Sequence, residues 1–318
     1  MKEFNYLVVG AGSIGRRHFD NLKVLGKQAE LLPWRQFDVG MFDATLKQKK
    51  GRIAVVIASG TGIRLELISR CAEYEVPLYI EKPLAYTRDQ LSQIFSIPME
   101  LQRRSVIGFM MRYHPIVQKM AGFKLSGPFR STLAIGHNVN QWRKEWSFSE
   151  SYASDPEGGG VLLDLCHEID MACILDPELR VTSVSCLEHP AFGGVDVASS
   201  ISAQGTRLGL CTIHMDYLAP QLIRRGSFEG LHERFDYDFQ KNAIVVSGNG
   251  PDCEQKLPQE RNSLFLSLMK DFISLAEEQD TPFNKLFPRM DLVRNSCNAI
   301  ADAWEKRRFV GQIEADLT

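Results

Sequence analysis

Leu7-Val8-Val9-Gly10-Ala11-Gly12-Ser13-Ile14-Gly15 decides the reading of this chain. The apolar segment from Phe4 to Val9 predicts a buried parallel strand. It runs directly into G-x-G-x-x-G, and Arg16 to Leu25 predicts a helix. Gly10 permits the tight turn out of the strand. Gly12 has no Cβ, so a pyrophosphate can approach the backbone, and Gly15 lets the helix pack close to the sheet. The N–H groups at the opening of that helix, at Ser13 and Ile14, and the positive end of its dipole would hold the phosphates. The alternative is a glycine turn with packing duties only. A turn that follows a strand and opens a helix favours dinucleotide binding.

Outward from this turn, strands and helices alternate. Ala29–Trp34 predicts a second strand and Ile53–Ala58 the clearest buried one. Ile63–Tyr74 has helical periodicity, Pro77–Ile80 is a short strand ending at Glu81-Lys82-Pro83, and Thr87 caps a helix through Ile94. Ser105–Phe109 is a further strand. This alternation implies βαβ units and a doubly wound parallel sheet, a Rossmann domain over residues 1–115.

The texture changes near Pro115. Extended segments follow at Phe129–His137, Val181–Glu188, Val195–Gln204, Leu208–His214, Ile223–Glu229, Glu233–Phe239 and Ala243–Ser247. Sequential strands with short connections imply an open, mostly antiparallel sheet. One helix, Val161–Leu175, interrupts them, and helices at about 263–278 and 289–307 close the chain. Residues 116–318 thus form an α+β domain for substrate binding and oligomerisation, whose C-terminal helix has the option of packing back on the first domain.

Composition narrows the function classes. With 37 Lys and Arg against 39 Asp and Glu there is no basic field, so nucleic acid is not an expected partner. The local cluster Lys47, Lys49, Lys50 and Arg52 reads as a solvated turn. No apolar stretch approaches the roughly 18 residues of a membrane helix, and the N-terminus shows no signal-peptide pattern. Seven scattered cysteines without C-x-x-C argue for reduced thiols in the cytoplasm and against a zinc site. No metal is expected. Cys166 reads as a small buried residue.

Four motifs together resemble a known family. The glycine turn is followed by Glu81-Lys82-Pro83, by Gly108-Phe109-Met110-Met111-Arg112-Tyr113-His114-Pro115, and by Gly158-Gly159-Gly160-Val161-Leu162-Leu163-Asp164-Leu165-Cys166-His167-Glu168-Ile169-Asp170. In order and spacing the chain resembles the glucose–fructose oxidoreductase / inositol dehydrogenase / rhizopine-catabolism (Gfo/Idh/MocA) family of NAD(P)-dependent oxidoreductases. With Gln141-Trp142-Arg143 and Asp216-Tyr217-Leu218 it is similar to a subgroup linked to bacterial surface-sugar biosynthesis.

The resemblance implies Lys82 and His167 as the central catalytic pair. Lys82 lies beyond the end of a parallel strand, where its ammonium would favour a developing alkoxide. Pro83 would restrain the loop, with a cis peptide as one option. His167 is the proton-transfer candidate, since imidazole works as acid or base near neutrality; a core histidine is the alternative. Asp164 is the third catalytic candidate and a substrate contact. In the family the aspartate commonly stands four residues before the histidine; here it stands three, which puts its role in doubt although both spacings share one broad helix face. Glu168 is the alternative carboxylate, and Asp170 either orients His167 or sits on the helix surface. Arg112, Tyr113, Trp142 and Arg143 are candidate substrate contacts, and His114 lies at the same crossing between domains. Ser59 and Glu81 join Gly10, Gly12, Ser13, Ile14, Gly15 and Lys82 in the expected cofactor set. Arg64 replaces a histidine frequent in relatives, and Gly60 a proline. His18 reads as structural.

An NAD-preferring domain ends its second strand in an acidic residue about 20 positions past the glycines. Here Trp34 and Arg35 stand there, with Glu30 inside the strand and Asp38 downstream. An arginine without the carboxylate suits a 2′-phosphate, so the expected cofactor is NADP in preference to NAD, with Trp34 covering the adenine or packing on the neighbouring helix. The expected activity is hydride transfer to or from a secondary hydroxyl or ketone of a sugar, sugar derivative or cyclitol, by a homodimer or homotetramer. The alternatives are a non-enzymatic NAD(P)-binding sensor and a redox-neutral, NAD-dependent glycosidase.

Overall fold

The computed structural model describes residues 4–141, 147–279 and 284–317. Their contacts form two units. One runs to Tyr113 and takes back Glu260–Arg294; the other comprises His114–Gln259 and the chain from Asn295 onward.

The first unit holds β1 (Asn5–Val9), β2 (Gln28–Leu32), β3 (Ile53–Ile57), β4 (Leu78–Ile80) and β5 (Val106–Ile107), in the order β2-β1-β3-β4-β5. Every adjacent pair is parallel. Strands covered on both faces read as unbroken apolar runs, and β3, Ile-Ala-Val-Val-Ile, is buried at each residue. Because β1 lies between β2 and β3, strand order reverses at its carboxyl end, where open α/β sheets take their ligands. Helix Ser13–Val24 buries Gly15, His18, Asn21 and Leu22, one stripe at helical spacing. Helix Arg261–Ala276 returns to this unit, where Phe272 meets Tyr6 and Tyr79 with ring centroids 6.3 and 5.7 Å apart. β2 stops at Leu32 because Pro33 fixes its own φ and lacks an N–H; Trp34–Gln36 is then a 3₁₀ turn rather than the end of the expected strand.

The second unit is built on β6 (Arg130–Gly136), β7 (Arg180–His189), β8 (Phe192–Gly205), β9 (Gly209–Asp216), β10 (Ile223–Glu229), β11 (Arg234–Asp238), β12 (Ala243–Ser247), β13 (Cys253–Lys256) and β14 (Arg307–Gln312). Their order is β13-β12-β11-β10-β6-β9-β8-β7-β14. The pairing is antiparallel except for β6 with β9 and β7 with β14. Alternation along β9 buries Cys211, Ile213 and Met215 and turns Leu210, Thr212 and His214 outward, as in a sheet covered on one face.

One expectation changes at a place that matters. The helix expected over Val161–Leu175 is two pieces, Val161–Asp164 and His167–Leu175. At Leu165 and Cys166 ψ moves to 22° and −4°, and the Glu168 N–H reaches back only three residues, to Leu165 O at 3.4 Å. Asp164 and His167 therefore stand on separate helical pieces.

Candidate active site

The glycine turn is built as its sequence requires. Gly10 has φ +109°, and a Cβ there would stand 2.5 Å from Ala58 O at the end of β3. A Cβ on Gly15 would run into the Gly10 carbonyl, so this glycine sets how closely helix Ser13–Val24 approaches the turn. Gly12 is different: a Cβ there would meet nothing within 4 Å. Its open side faces outward beside a helix start with no side-chain cap and no acidic residue in the first turn. Uncapped first-turn N–H groups are suited to an anion. Ser59 Oγ is buried and has no hydrogen-bond partner among the described residues. These features fit a diphosphate-bearing nucleotide.

Arg35 is exposed on the turn after β2. Trp34 stacks on Phe37 at 4.7 Å and 24°, and Phe37 packs on Phe42 of helix Val39–Gln48. Neither nearby carboxylate stands at the strand end. Asp38 caps that helix, accepting from Met41 N at 2.8 Å, and Glu30 is exposed in mid-strand.

Lys82 follows β4 by two residues, half-buried, and the Lys82–Pro83 peptide is cis. The loop is held from below. Arg64, 5% exposed, donates from Nε and Nη2 to Ser59 O at 3.1 and 2.8 Å, and from Nη1 to Glu81 O at 2.6 Å and to Pro83 O. The residue that departs from the family pattern is thus a staple between the ends of β3 and β4. Glu81 is buried and lies 2.7 Å from His18 Nε2 through Oε1. Burial opposes its ionisation, but the His18 hydrogen bond and the charges of His18, Lys82 and Arg64 outweigh it and hold the carboxyl below the usual range. His18, which the sequence suggests is structural, is fully buried against this carboxylate.

Arg112 and Tyr113 also belong to the first unit. Arg112 is buried and donates to Leu286 O at 3.2 Å, and the Tyr113 hydroxyl donates to Asp271 Oδ2 at 2.5 Å. Burial first, then the Asp271 charge, pushes the Tyr113 phenol well up.

In the second unit Asp164 accepts two phenols, Tyr152 Oη at 2.6 Å on Oδ1 and Tyr217 Oη at 3.2 Å on Oδ2. Tyr217 is buried, and Tyr152 is exposed. The short helix bearing Asp164 starts at Gly160, φ +83°, where a Cβ would collide with Asp196 Oδ1. Asp196 is fully buried; it accepts from Leu162 N at 2.9 Å and Ser199 Oγ at 2.8 Å and pairs with Arg307 Nη1 at 2.9 Å. His167 opens the next helix and is buried. Glu168, the alternative carboxylate, is occupied in a bidentate pair with Arg224, at 2.6 and 3.2 Å. Asp170 is fully buried, which excludes a helix-surface role. His114 caps helix Pro115–Gly122 through Nδ1, and burial, then the Arg224 charge, holds its imidazole down to about 4. Gln141 is exposed and donates to Pro220 O at 3.5 Å. Trp142 and Arg143 lie outside the described residues. Among the described residues, no group of three or more His, Cys, Asp or Glu side chains could hold a metal, and no helix is long and apolar enough to cross a membrane.

No family model matches the chain. In sequence it is 30% identical over 123 residues to inositol 2-dehydrogenase of Rubrobacter xylanophilus; the match spans 34% of this chain and 35% of that protein, about a third of each. In structure it matches an inositol dehydrogenase homologue complexed with NAD+ from Azotobacter vinelandii, with TM-score 0.74 at 13% identity over 96% of this chain and 95% of that one. It also matches KijD10, a 3-ketoreductase from Actinomadura kijaniata in complex with NADP and TDP-benzene, with TM-score 0.73 at 14% identity over 98% and 99%. At these identities the structural likeness speaks for the fold. The chain thus resembles an inositol 2-dehydrogenase in sequence over about a third of its length and shares the fold of an inositol dehydrogenase homologue and a 3-ketoreductase.

Proposed function

We propose that this protein is an NAD(P)-dependent oxidoreductase acting on a secondary hydroxyl, or the corresponding ketone, of a sugar, sugar derivative or cyclitol. The observation that carries the reading is the passage of β1 through Gly10, Gly12 and Gly15 into an uncapped helix start, with Lys82 two residues beyond β4 of the same sheet. When bound, the dinucleotide supplies a hydride acceptor or donor at its nicotinamide. The first-turn N–H groups of Ser13 and Ile14 hold its diphosphate and Ser59 lies in the cofactor set, while Glu81 serves that set by holding the Lys82 backbone rather than by touching the nucleotide. Lys82 stabilises negative charge on the reacting oxygen. His167 takes that oxygen's proton in oxidation and returns it in reduction. Asp164, already an acceptor for two hydroxyl groups, receives substrate hydroxyls.

The test is a turnover screen of sugars, cyclitols, amino sugars and nucleotide sugars with NADP or NAD, followed by nicotinamide absorbance. Reduction is the expected result. Dinucleotide binding with no turnover of any alcohol or ketone would overturn the reading.

Arg35 supports a preference for NADP. It is exposed on the turn that follows β2, and Asp38, the nearest downstream carboxylate, is occupied as a helix cap. A charge-assisted hydrogen bond contributes roughly 1.5–3 kcal/mol, about 10- to 150-fold in affinity. Arg35→Ala is expected to weaken NADP binding by about that factor and leave NAD within about twofold; fluorescence titration with both cofactors measures it. Equal losses would exclude the assignment.

The outward face of the second sheet supports a homo-oligomer. Ser202, Thr212, Thr132 and Ser227 form one cross-strand row of small residues there, suited to packing against a second sheet. Light scattering would read a dimer or tetramer. The seven scattered cysteines, with no C-x-x-C among them, support a reducing, cytoplasmic setting.

A further inference from the structure

We propose that the buried His18–Glu81 pair is a positioning device for Lys82, fixing the backbone from which the lysine projects and tying it to the helix that opens on the glycine turn. The proposal rests on the functional reading above for the role of Lys82.

Glu81 divides its two oxygens. Oε1 meets His18 Nε2 at 2.7 Å, and Oε2 accepts the Lys82 backbone N–H at 3.2 Å. The space for this carboxylate is made by a missing side chain: a Cβ on Gly108 would stand 2.9 Å from Oε1 and 3.1 Å from Oε2. The Glu81 backbone is fixed on its other edges, its N–H donating to Ile57 O at 2.9 Å and its carbonyl accepting from Arg64. Pro83 O, on the far side of Lys82, accepts from Arg64 as well. The lysine therefore leaves from a backbone held before and after it.

His18 carries the connection onward. It lies three residues past Gly15 on helix Ser13–Val24, fully buried, with its ring 4.6 Å from Tyr79 and 6.0 Å from Phe265. Its Nδ1 has no hydrogen-bond partner among the described residues, so the polar contact it makes is the one to Glu81. A buried polar pair is a weak means of stabilising a fold, because desolvation offsets most of the attraction. Its use here is geometric: the helix cannot shift at His18 without moving Glu81 and, through it, the Lys82 amide. The groups facing Glu81 are His18, Lys82, Arg64 and the Tyr79 phenol, and the three basic ones favour its ionised form.

The test uses the full-length protein with Glu81→Gln, His18→Leu, His18→Gln and the double variant H18L/E81Q. Glu81→Gln is expected to lower kcat about 10- to 100-fold, with KM and the dinucleotide Kd within about threefold. Hydrogen–deuterium exchange at the Lys82 amide is expected to quicken about tenfold or more, with β1 and β3 unchanged. His18→Leu should match it. His18→Gln, which keeps an N–H donor toward Glu81, should lose less than about threefold, and the double variant should be no worse than either single change. Unchanged exchange and kcat in Glu81→Gln would overturn the proposal. So would a loss confined to dinucleotide affinity, or losses that multiply in the double variant. If the native protein turns over no alcohol while the variants still speed Lys82 exchange, the positioning stands and the functional reading falls.

Discussion

Lys82→Met is expected to lower kcat by about 10²–10³-fold, the usual loss on removing one preorganised electrostatic stabiliser, while the dinucleotide Kd moves by less than about threefold. Methionine keeps the length and apolar stem of lysine and removes only the ammonium. The loop itself should survive, because its backbone is held by other side chains: Glu81 accepts the Lys82 backbone N–H, and Arg64 binds the carbonyls of Glu81 and Pro83. A contribution felt only as the oxygen gains charge appears in kcat and kcat/KM alike. His167→Ala, removing the proposed proton carrier, is expected to lower kcat by about 10²–10⁴-fold. Steady-state kinetics on the alcohol found in the screen, with cofactor affinity measured separately, checks both. A Lys82→Met enzyme that keeps native kcat and loses only cofactor affinity would reassign Lys82 to nucleotide binding.

The parts of this molecule that were legible in the sequence are those whose physics is local. A strand that must turn sharply into a helix packed close to the sheet needs Gly10 and Gly15 at fixed offsets, and a Cβ at either would collide with backbone, while Gly12 borders open space. β3 reads as a strand because burial on both faces leaves a continuous apolar run. β10 and β12 fall on the expected residues. The helix break at Leu165–Cys166 was not legible, since periodicity runs through it while nearly every residue there is buried. β13 and β14 carry short, polar or exposed stretches that give no alternating pattern. The partners of the site residues are illegible for another reason: His18 and Glu81 lie 63 residues apart, Asp164 and Tyr217 lie 53 apart, and Arg307 and Asp196 lie 111 apart. Only the fold brings them together. The one available signal was chemical, an isolated charged residue inside an apolar stretch, as Asp196 is between Val195 and Val197. Such a residue has to find a counter-charge or hydrogen bonds, though the sequence does not say which.

Arg224→Met is expected to destabilise the second unit by about 3–5 kcal/mol, the usual result of removing one partner of a buried ion pair. Glu168 is fully buried and Arg224 is 15% exposed, and the pair is bidentate, at 2.6 and 3.2 Å. Without the guanidinium, the Glu168 carboxylate stays in an apolar helix with its main counter-charge gone. The pair also ties helix His167–Leu175 to β10, so the change acts on the segment that bears His167. The Arg224 guanidinium also lies over the Phe239 ring, 5.2 Å from its centroid, and methionine exchanges that cation–π contact for a sulfur–aromatic one; the loss is therefore electrostatic more than steric. At roughly 2–4 °C per kcal/mol for a domain of this size, the melting temperature should fall by about 6–20 °C. Adding Glu168→Gln to Arg224→Met removes the orphaned charge, and the double variant should regain a large part of the loss, because a neutral amide is far less costly to bury than a carboxylate. Calorimetry on the native protein and the three variants reads this directly. Strict additivity of the two changes would mean that Glu168 and Arg224 do not depend on each other, and the helix would then be held by its apolar neighbours Ile169, Met171 and Ala172 alone.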